Sequence, residues 1–402
     1  MTLRLLKQIG LAAILTWSYL LSYGQASPPR PTTSFSALSA QATRAREANR
    51  LDEAIGFYQR ALSLKTNWAE GWWSLGTLYY DREAYAPAAK AFEHLLALSP
   101  QNGTAHLLLG LCKYELGDDD SAELHLQAAK KIGMQDDPQL WHVLMYHESM
   151  ILVRKGKFES AIDSLHRLSK IGVSSEDIDL AYGMSVLLMK PTELPPLGSD
   201  ERAVVLRIGY AEASDSMETH GAANKLYLES VEAAPTFPNI HYAYGRFLLA
   251  IKEPEEALPQ FEQELKNQPN HVRARLQIAA IHYRTDSAAG IPYASEAVKL
   301  DPKFPFAHYL LGLLYLDSGD AATAIPELEA AKSMVPTEPR FYFSLARAYA
   351  KAGRKKEAAE ARATFARLNE PALKDASSPA GTAAPDSNGS GLYRLDADAP
   401  RR

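Results

Sequence analysis

The chain has 402 residues, is 46% hydrophobic, and carries 43 Lys plus Arg against 48 Asp plus Glu for a formal net charge of −5. A mildly acidic chain lacks the basic field that nucleic-acid and anionic-membrane binders use, so neither partner is expected. Its single cysteine, Cys112, rules out an intrachain disulfide, which leaves apolar packing to hold the fold.

Met1–Ala26 begins with Arg4 and Lys7, continues as an apolar run from Ile9 to Leu21, and ends in Gly24-Gln25-Ala26. A basic start, a short apolar stretch and small residues at the cleavage positions are the three parts of an export signal, cut after Ala26. The run from Ile9 to Leu21 falls short of the roughly 20 residues that cross a bilayer. The mature chain is therefore expected to start at Ser27, periplasmic or secreted, with no stable membrane span. The rival reading keeps the segment as an uncleaved anchor. Cleavage would leave 41 basic against 48 acidic residues. Residues 27–34 read as a linker.

Residues 69–100 set Trp72, Leu75, Gly76 and Tyr79 on one stretch, Ala88 and Phe92 on the next, and Pro100 at its end. Leu75, Gly76 and Tyr79 share a face of a first helix, Ala88 and Phe92 a face of a second, and Pro100 cannot continue that second helix. Gly76 and Ala88 are small where the two helices must approach. Position for position, this stretch resembles the tetratricopeptide repeat. Ala54, Ala88 and Ala122 recur at one constant interval, and the same interval separates Gly76 from Gly110, Ala223 from Ala257, Gly319 from Gly353, and Pro302 from Pro336. It equals the length of a tetratricopeptide unit, about 34 residues. Pro269 and Pro302 are closer by one position, which shortens one unit, most simply in its inter-helix turn.

The resemblance implies an all-α fold, a right-handed superhelical α-solenoid of about nine helix-turn-helix units. Units starting near Phe35, Ala69, Gly103 and His142 form a first block, 35–173; units starting near Val204, Pro238, His271, Pro305 and Pro339 form a second, 204–371. Between them, residues 174–203 break the rhythm. Asp177–Lys190 reads as an apolar helix without a partner, followed by the Pro-rich turn Pro191–Ser199. Beyond Pro371, residues 372–402 are rich in Ala, Ser, Gly, Pro and Asp and are expected to be disordered.

No catalytic or cofactor constellation emerges, and no enzymatic activity, cofactor or metal is expected. His106, His241 and His308 take the place of Trp72 in their own units, so they fall in different layers and cannot share a metal. His142, His147 and Glu148 lack the second histidine of an H-E-x-x-H motif. Asp118-Asp119-Asp120 lacks the spacing of a calcium loop and falls in an inter-helix turn, where Asp120 or Ser121 is positioned to cap a helix. Cys112 should pack as a small apolar group.

In tetratricopeptide families the first helices line a concave groove that holds a partner peptide or helix. The resemblance therefore implies a partner-binding face of Trp73, Tyr80, Leu107, Tyr114 and Tyr146 in the first block. In the second, the same face carries Tyr242, Arg246, Arg275, His282, Tyr309, Phe343 and Arg347. Aromatics and Arg are the side chains that carry most interface energy. Trp73, Thr77, Leu107 and Leu111 occupy the positions where the carboxylate-clamp type places Lys and Asn, so chaperone-tail binding is not implied. The expected function is a non-enzymatic protein-interaction scaffold of the bacterial envelope, its partner another protein. The alternative is a carbohydrate or cell-wall-fragment binder stacking sugars on the same aromatics. Eight Lys and Arg between Pro339 and Pro371 mark either a solvated last repeat or a surface for an acidic partner.

Overall fold

The computed structural model describes residues 34–134, 137–216 and 220–376, and among them the chain forms nineteen α-helices, one short 3-10 helix (Pro191–Glu193) and no strand. The expected export signal, most of the linker and residues 377–402 lie outside the described residues. The chain divides into two compact units, which part between Ile151 and Leu152.

In the first unit, α1 (Phe35–Glu47) pairs with α2 (Leu51–Leu64), α3 (Ala69–Asp81) with α4 (Tyr85–Leu98), and α5 (Gly103–Glu115) with α6 (Asp119–Ile132). The next helix, α7 (Pro138–Arg154), straddles the division. Each hairpin turns through a short loop with a left-handed residue in its middle: Asn49 (φ 55°), Glu83 (φ 60°) and Gly117 (φ 77°). That conformation reverses the chain within a single step and releases the helix end. Inside the α3/α4 and α5/α6 hairpins the contact is a glycine, Gly76 or Gly110, against a bulky side chain, Phe92 or Leu126. A Cβ on Gly76 would stand 2.7 Å from the ring of Phe92, which is wholly buried. A ring buried in this way contributes roughly 1.5–3 kcal/mol of hydrophobic stabilisation.

The second unit continues with α8 (Phe158–Lys170), α9 (Glu176–Val186), α10 (Asp200–Ser216), α11 (His220–Ala233), α12 (Ile240–Ala250) and α13 (Pro254–Asn267). It ends with α14 (Val272–Thr285), α15 (Ser287–Leu300), α16 (Pro305–Asp317), α17 (Ala321–Met334), α18 (Pro339–Lys351) and α19 (Lys355–Ala376). The α12/α13, α16/α17 and α18/α19 turns again place a left-handed residue in the middle: Lys252 (φ 68°), Gly319 (φ 93°) and Gly353 (φ 75°). The short unit is α14/α15. Asp286 alone separates its helices and caps the second by accepting from the backbone N–H groups of Ala288 and Ala289, so the missing residue is indeed in the turn.

Three expectations are corrected here. The helix in the connector has a partner, because α9 lies against α10 along its length. The signal is a pair of glycines: a Cβ on Gly183 would fall 2.0 Å from the carbonyl oxygen of Val205, and one on Gly209 would fall 1.6 Å from that of Asp179. The two backbones touch where any side chain would part them. Helix α9 also stops at Val186 rather than Lys190, since Leu188 turns left-handed (φ 52°). Second, Asp118, not Asp120 or Ser121, caps α6, its carboxylate accepting from Ser121 N–H at 3.2 Å. Hydrogen bonds from Ser121 lower the Asp118 pKa. Third, the last helix runs through Pro371 to Ala376. A proline removes one N–H donor without abolishing the remaining ladder, and Pro259, Pro292 and Pro326 likewise sit inside α13, α15 and α17.

Candidate functional site

The first helices are positioned by a recurrent tether. Trp72 Nε1–H donates to the Thr66 carbonyl at 2.7 Å, and the Tyr342 hydroxyl donates to that of Pro336 at 2.9 Å. His106, His241 and His308 direct Nε2 at the carbonyls of Pro100, Pro235 and Pro302, at 3.2, 2.9 and 3.1 Å. In every case the donor reaches back to the loop that joins two hairpins. A carbonyl only accepts, so a hydrogen on Nε2 of these histidines makes each contact a hydrogen bond. Their Nδ1 atoms then reach the second helix of the same hairpin: His125 Nδ1 at 3.1 Å, Gln260 Oε1 at 2.7 Å and Glu327 Oε2 at 2.7 Å respectively. These histidines join a loop, a first helix and a second helix. Among the described residues no group of three or more His, Cys, Asp or Glu side chains is arranged to hold a metal ion.

The twelve residues expected on the partner-binding face divide by burial. Trp73, Tyr80, Tyr146, Arg275 and His282 are half-buried, and Phe343 and Arg347 are exposed. Leu107, Tyr114, Tyr242 and Tyr309 are buried and are corrected to packing residues. The cause is the neighbouring helix. Tyr309 is 7% exposed because Phe306 and Phe341 close over it, with ring centroids at 6.1 and 4.9 Å. Tyr242 meets His271 at 4.9 Å, and Tyr114 meets His147 at 4.9 Å edge-on. At Tyr114, Tyr242 and Tyr309 the side chain is taken up against the next first helix. Arg246 is corrected for a different reason: its Nη2 donates to Glu159 Oε2 at 2.7 Å, a largely buried ion pair joining α12 to α8 across 87 residues. Nothing in the sequence near Arg246 announces a partner that far away.

Burial also sets the chemistry of the titratable groups. It pushes the Cys112 thiol up to about 12, so this cysteine is an inert core residue. The Tyr80 and Tyr309 phenols are likewise raised, chiefly by burial. His271 falls to about 4 through burial, with Arg273 and Arg275 adding repulsion, while its own backbone hydrogen bond opposes the shift. His271 Nδ1 accepts from Ala274 N–H and Nε2 faces Asn239 Oδ1, so neutral His271 serves as the cap of α14. His125 is lowered by burial and then by its neighbour His106.

One interaction escaped sequence reading altogether. Phe365 of α19 packs on Phe343 of α18 with centroids at 5.4 Å, and the Arg347 guanidinium lies 6.0 Å from the centre of the Phe343 ring. The signal available was Phe365 itself, a large apolar residue in a basic helix.

Helical hairpins in near-regular succession, four of them closed by a glycine against a bulky side chain, define an α-helical repeat protein. Models of the tetratricopeptide repeat match three stretches of this chain, residues 79–144, 282–339 and 309–368. The TPR repeat-containing protein MJ1428 of Methanocaldococcus jannaschii is 23% identical over 295 residues, 67% of this chain and 51% of that protein. The chain thus spans about half the length of this curated relative. Among solved structures, a MamA RS-1 double mutant is 21% identical over 44% of this chain and 99% of its own, with a TM-score of 0.41. MamA from Desulfovibrio magneticus RS-1 is 21% identical over 43% of this chain and 97% of its own, with a TM-score of 0.40. Among the described residues no helix is long and apolar enough to cross a membrane.

Proposed function

We propose that the protein is a non-enzymatic interaction scaffold, exported to the cell envelope or periplasm, whose first helices hold a segment of a partner protein. The observation that carries this reading is the set of side chains left accessible on first helices: Trp73, Tyr80 and Tyr146 on α3 and α7, and Arg275 and His282 on α14. Rigid amphipathic rings supply contact area at low entropic cost, and Arg275 holds a buried Nη1 without a hydrogen-bond partner among the described residues, a fixed donor for an acceptor that reaches it. Tetratricopeptide repeats provide the framework on which such side chains meet peptides. Export rests on the signal pattern of Met1–Ala26.

A photo-crosslinking amino acid at position 73 of the full chain, expressed in its native host, should capture one protein reproducibly. The purified protein so identified should bind the wild-type chain directly and bind Trp73→Ala or Tyr146→Ala at least about tenfold more weakly, with both variants folded by circular dichroism. Equal binding to all three would overturn the assignment of the face. Glycan-array binding lost in the same variants, with no protein bound, would instead establish the carbohydrate reading. N-terminal sequencing should find Ser27; Met1 retained in the membrane fraction would refute cleavage.

A further inference from the structure

The last hairpin presents a face that the preceding units cover. Phe343 occupies, one repeat on, the position of Tyr309. Tyr309 is closed by Phe341 of the next first helix, whereas Phe343 is 49% exposed, with Phe365 and Arg347 beside it. Arg362 lies one helical turn before Phe365 and so extends the same face of α19. Charge singles this end out as sharply as apolarity. Residues 339–369 hold eight Lys and Arg and only two acidic residues, Glu357 and Glu360, while the rest of the chain has 35 basic against 46 acidic. Glu357 is already engaged by Arg354. Arg347, Lys355, Arg362 and Arg367 are exposed, and none of them has a carboxylate within salt-bridge distance among the described residues.

We propose that this end face of α18 and α19 docks an acidic amphipathic helix of another protein, lying where a next first helix would lie. Its apolar side would cover Phe343 and Phe365, and its carboxylates would pair with Arg347 and Arg362. Charge complementarity selects this occupant over the others. The protein's own residues 377–402 carry three basic and three acidic residues, and α1, the first helix that a second copy would offer, has Arg44 and Arg46 against Glu47 alone. Duplex DNA and anionic bilayers are polyanions that the chain's formal net charge of −5 disfavours, whereas a short acidic helix needs only the local basic surface. The face is separate from Trp73, Tyr146 and Arg275, so the inference stands or falls independently of the function proposed above.

The test is selection of a random displayed peptide library on the full-length protein, followed by fluorescence anisotropy of the winning peptides. Winners should be enriched in Asp and Glu flanking aromatic or aliphatic residues and should become helical on binding. They should weaken as salt rises, lose at least about tenfold in affinity on Phe343→Ser or on combined Arg347→Glu and Arg362→Glu, and keep their affinity on Trp73→Ala. Versions of the peptides with Glu changed to Lys should regain binding to the charge-reversed protein. Circular dichroism of each variant should match the wild type, since all three positions are exposed. Winners with no acidic excess, or winners indifferent to charge reversal, would overturn the proposal. So would tighter binding of short duplex DNA or phosphatidylglycerol vesicles at this face, displacement of the peptides by a synthetic 377–402 peptide, or self-association in sedimentation abolished by Phe343→Ser.

Discussion

The position shared by Tyr309 and Phe343 shows how one slot in a repeat changes its role with what lies next to it. Tyr309 has lost its solvent to Phe306 and Phe341, so Tyr309→Ala should cost about 3–5 kcal/mol as an unfilled cavity. Arg347→Ala, one turn beyond the equivalent Phe343 on an exposed face, should change stability by less than about 0.5 kcal/mol. Urea unfolding of the two variants decides this, and comparable losses would mean that Arg347 is also a packing residue. His271 gives a pH-dependent counterpart. Ordinary histidine takes up its proton near 6.5, and folded His271 only near 4. Between those values the unfolded chain binds more protons, so stability falls as pH drops through the window and is unaffected by this residue above about pH 7. The full loss approaches about 3 kcal/mol, at roughly 1.36 kcal/mol for each tenfold change in proton activity. His271→Asn keeps a side-chain cap but cannot titrate, so its unfolding midpoint should depend less on pH between 6.5 and 4 than that of the wild type; parallel curves would contradict the assignment.

Helix pairs place glycines under two opposite demands. Gly209 of α10 touches backbone: its Cβ would meet the Asp179 carbonyl oxygen at 1.6 Å, a neighbour that cannot rotate away. Gly209→Ala should therefore force α9 and α10 apart and destabilise the protein by at least about 2 kcal/mol, in the upper range of overpacking. Gly56, inside α2, has nothing within 4 Å of its notional Cβ. Gly56→Ala should stabilise by about 0.5–1 kcal/mol through helix propensity and lost unfolded-state freedom. Thermal melts of both variants should move in opposite directions. The regular spacing of small residues revealed the repeating hairpins but not the α9–α10 contact, because Gly183 and Gly209 are separated by less than one repeat and fall outside the period.

Within the second unit, stability depends on contacts that leap over neighbours. Glu159 and Arg246 are 87 residues apart, and Asn239 Nδ2 donates to the Leu187 carbonyl at 2.6 Å, pinning the end of α9 to the start of α12. A fragment covering 204–371 would cut into α10, strip α9 from it and delete Glu159, the carboxylate 2.7 Å from the largely buried Arg246. Removing one member of such a pair typically costs about 3–5 kcal/mol. The fragment 152–376 should fold with a cooperative melt, while 204–371 should aggregate or melt broadly. A sharp, soluble transition for the shorter piece would show that α8 and α9 are dispensable.

What the sequence determined by itself was local and periodic. Helix hairpins, their rhythm, the short turn at Asp286 and the likeness to the tetratricopeptide repeat all follow from spacings within a unit, where Gly76 must meet Phe92 because the chain turns back on itself once. Burial of the individual first-helix positions was decided only by the tertiary structure. Tyr242 and Phe343 occupy equivalent positions, and their difference lies in whether another helix follows. The partner of Arg246 and the glycine contact of α9 with α10 were likewise hidden, since each depends on which distant backbone arrives alongside, and a repeat period carries no information about contacts that break it.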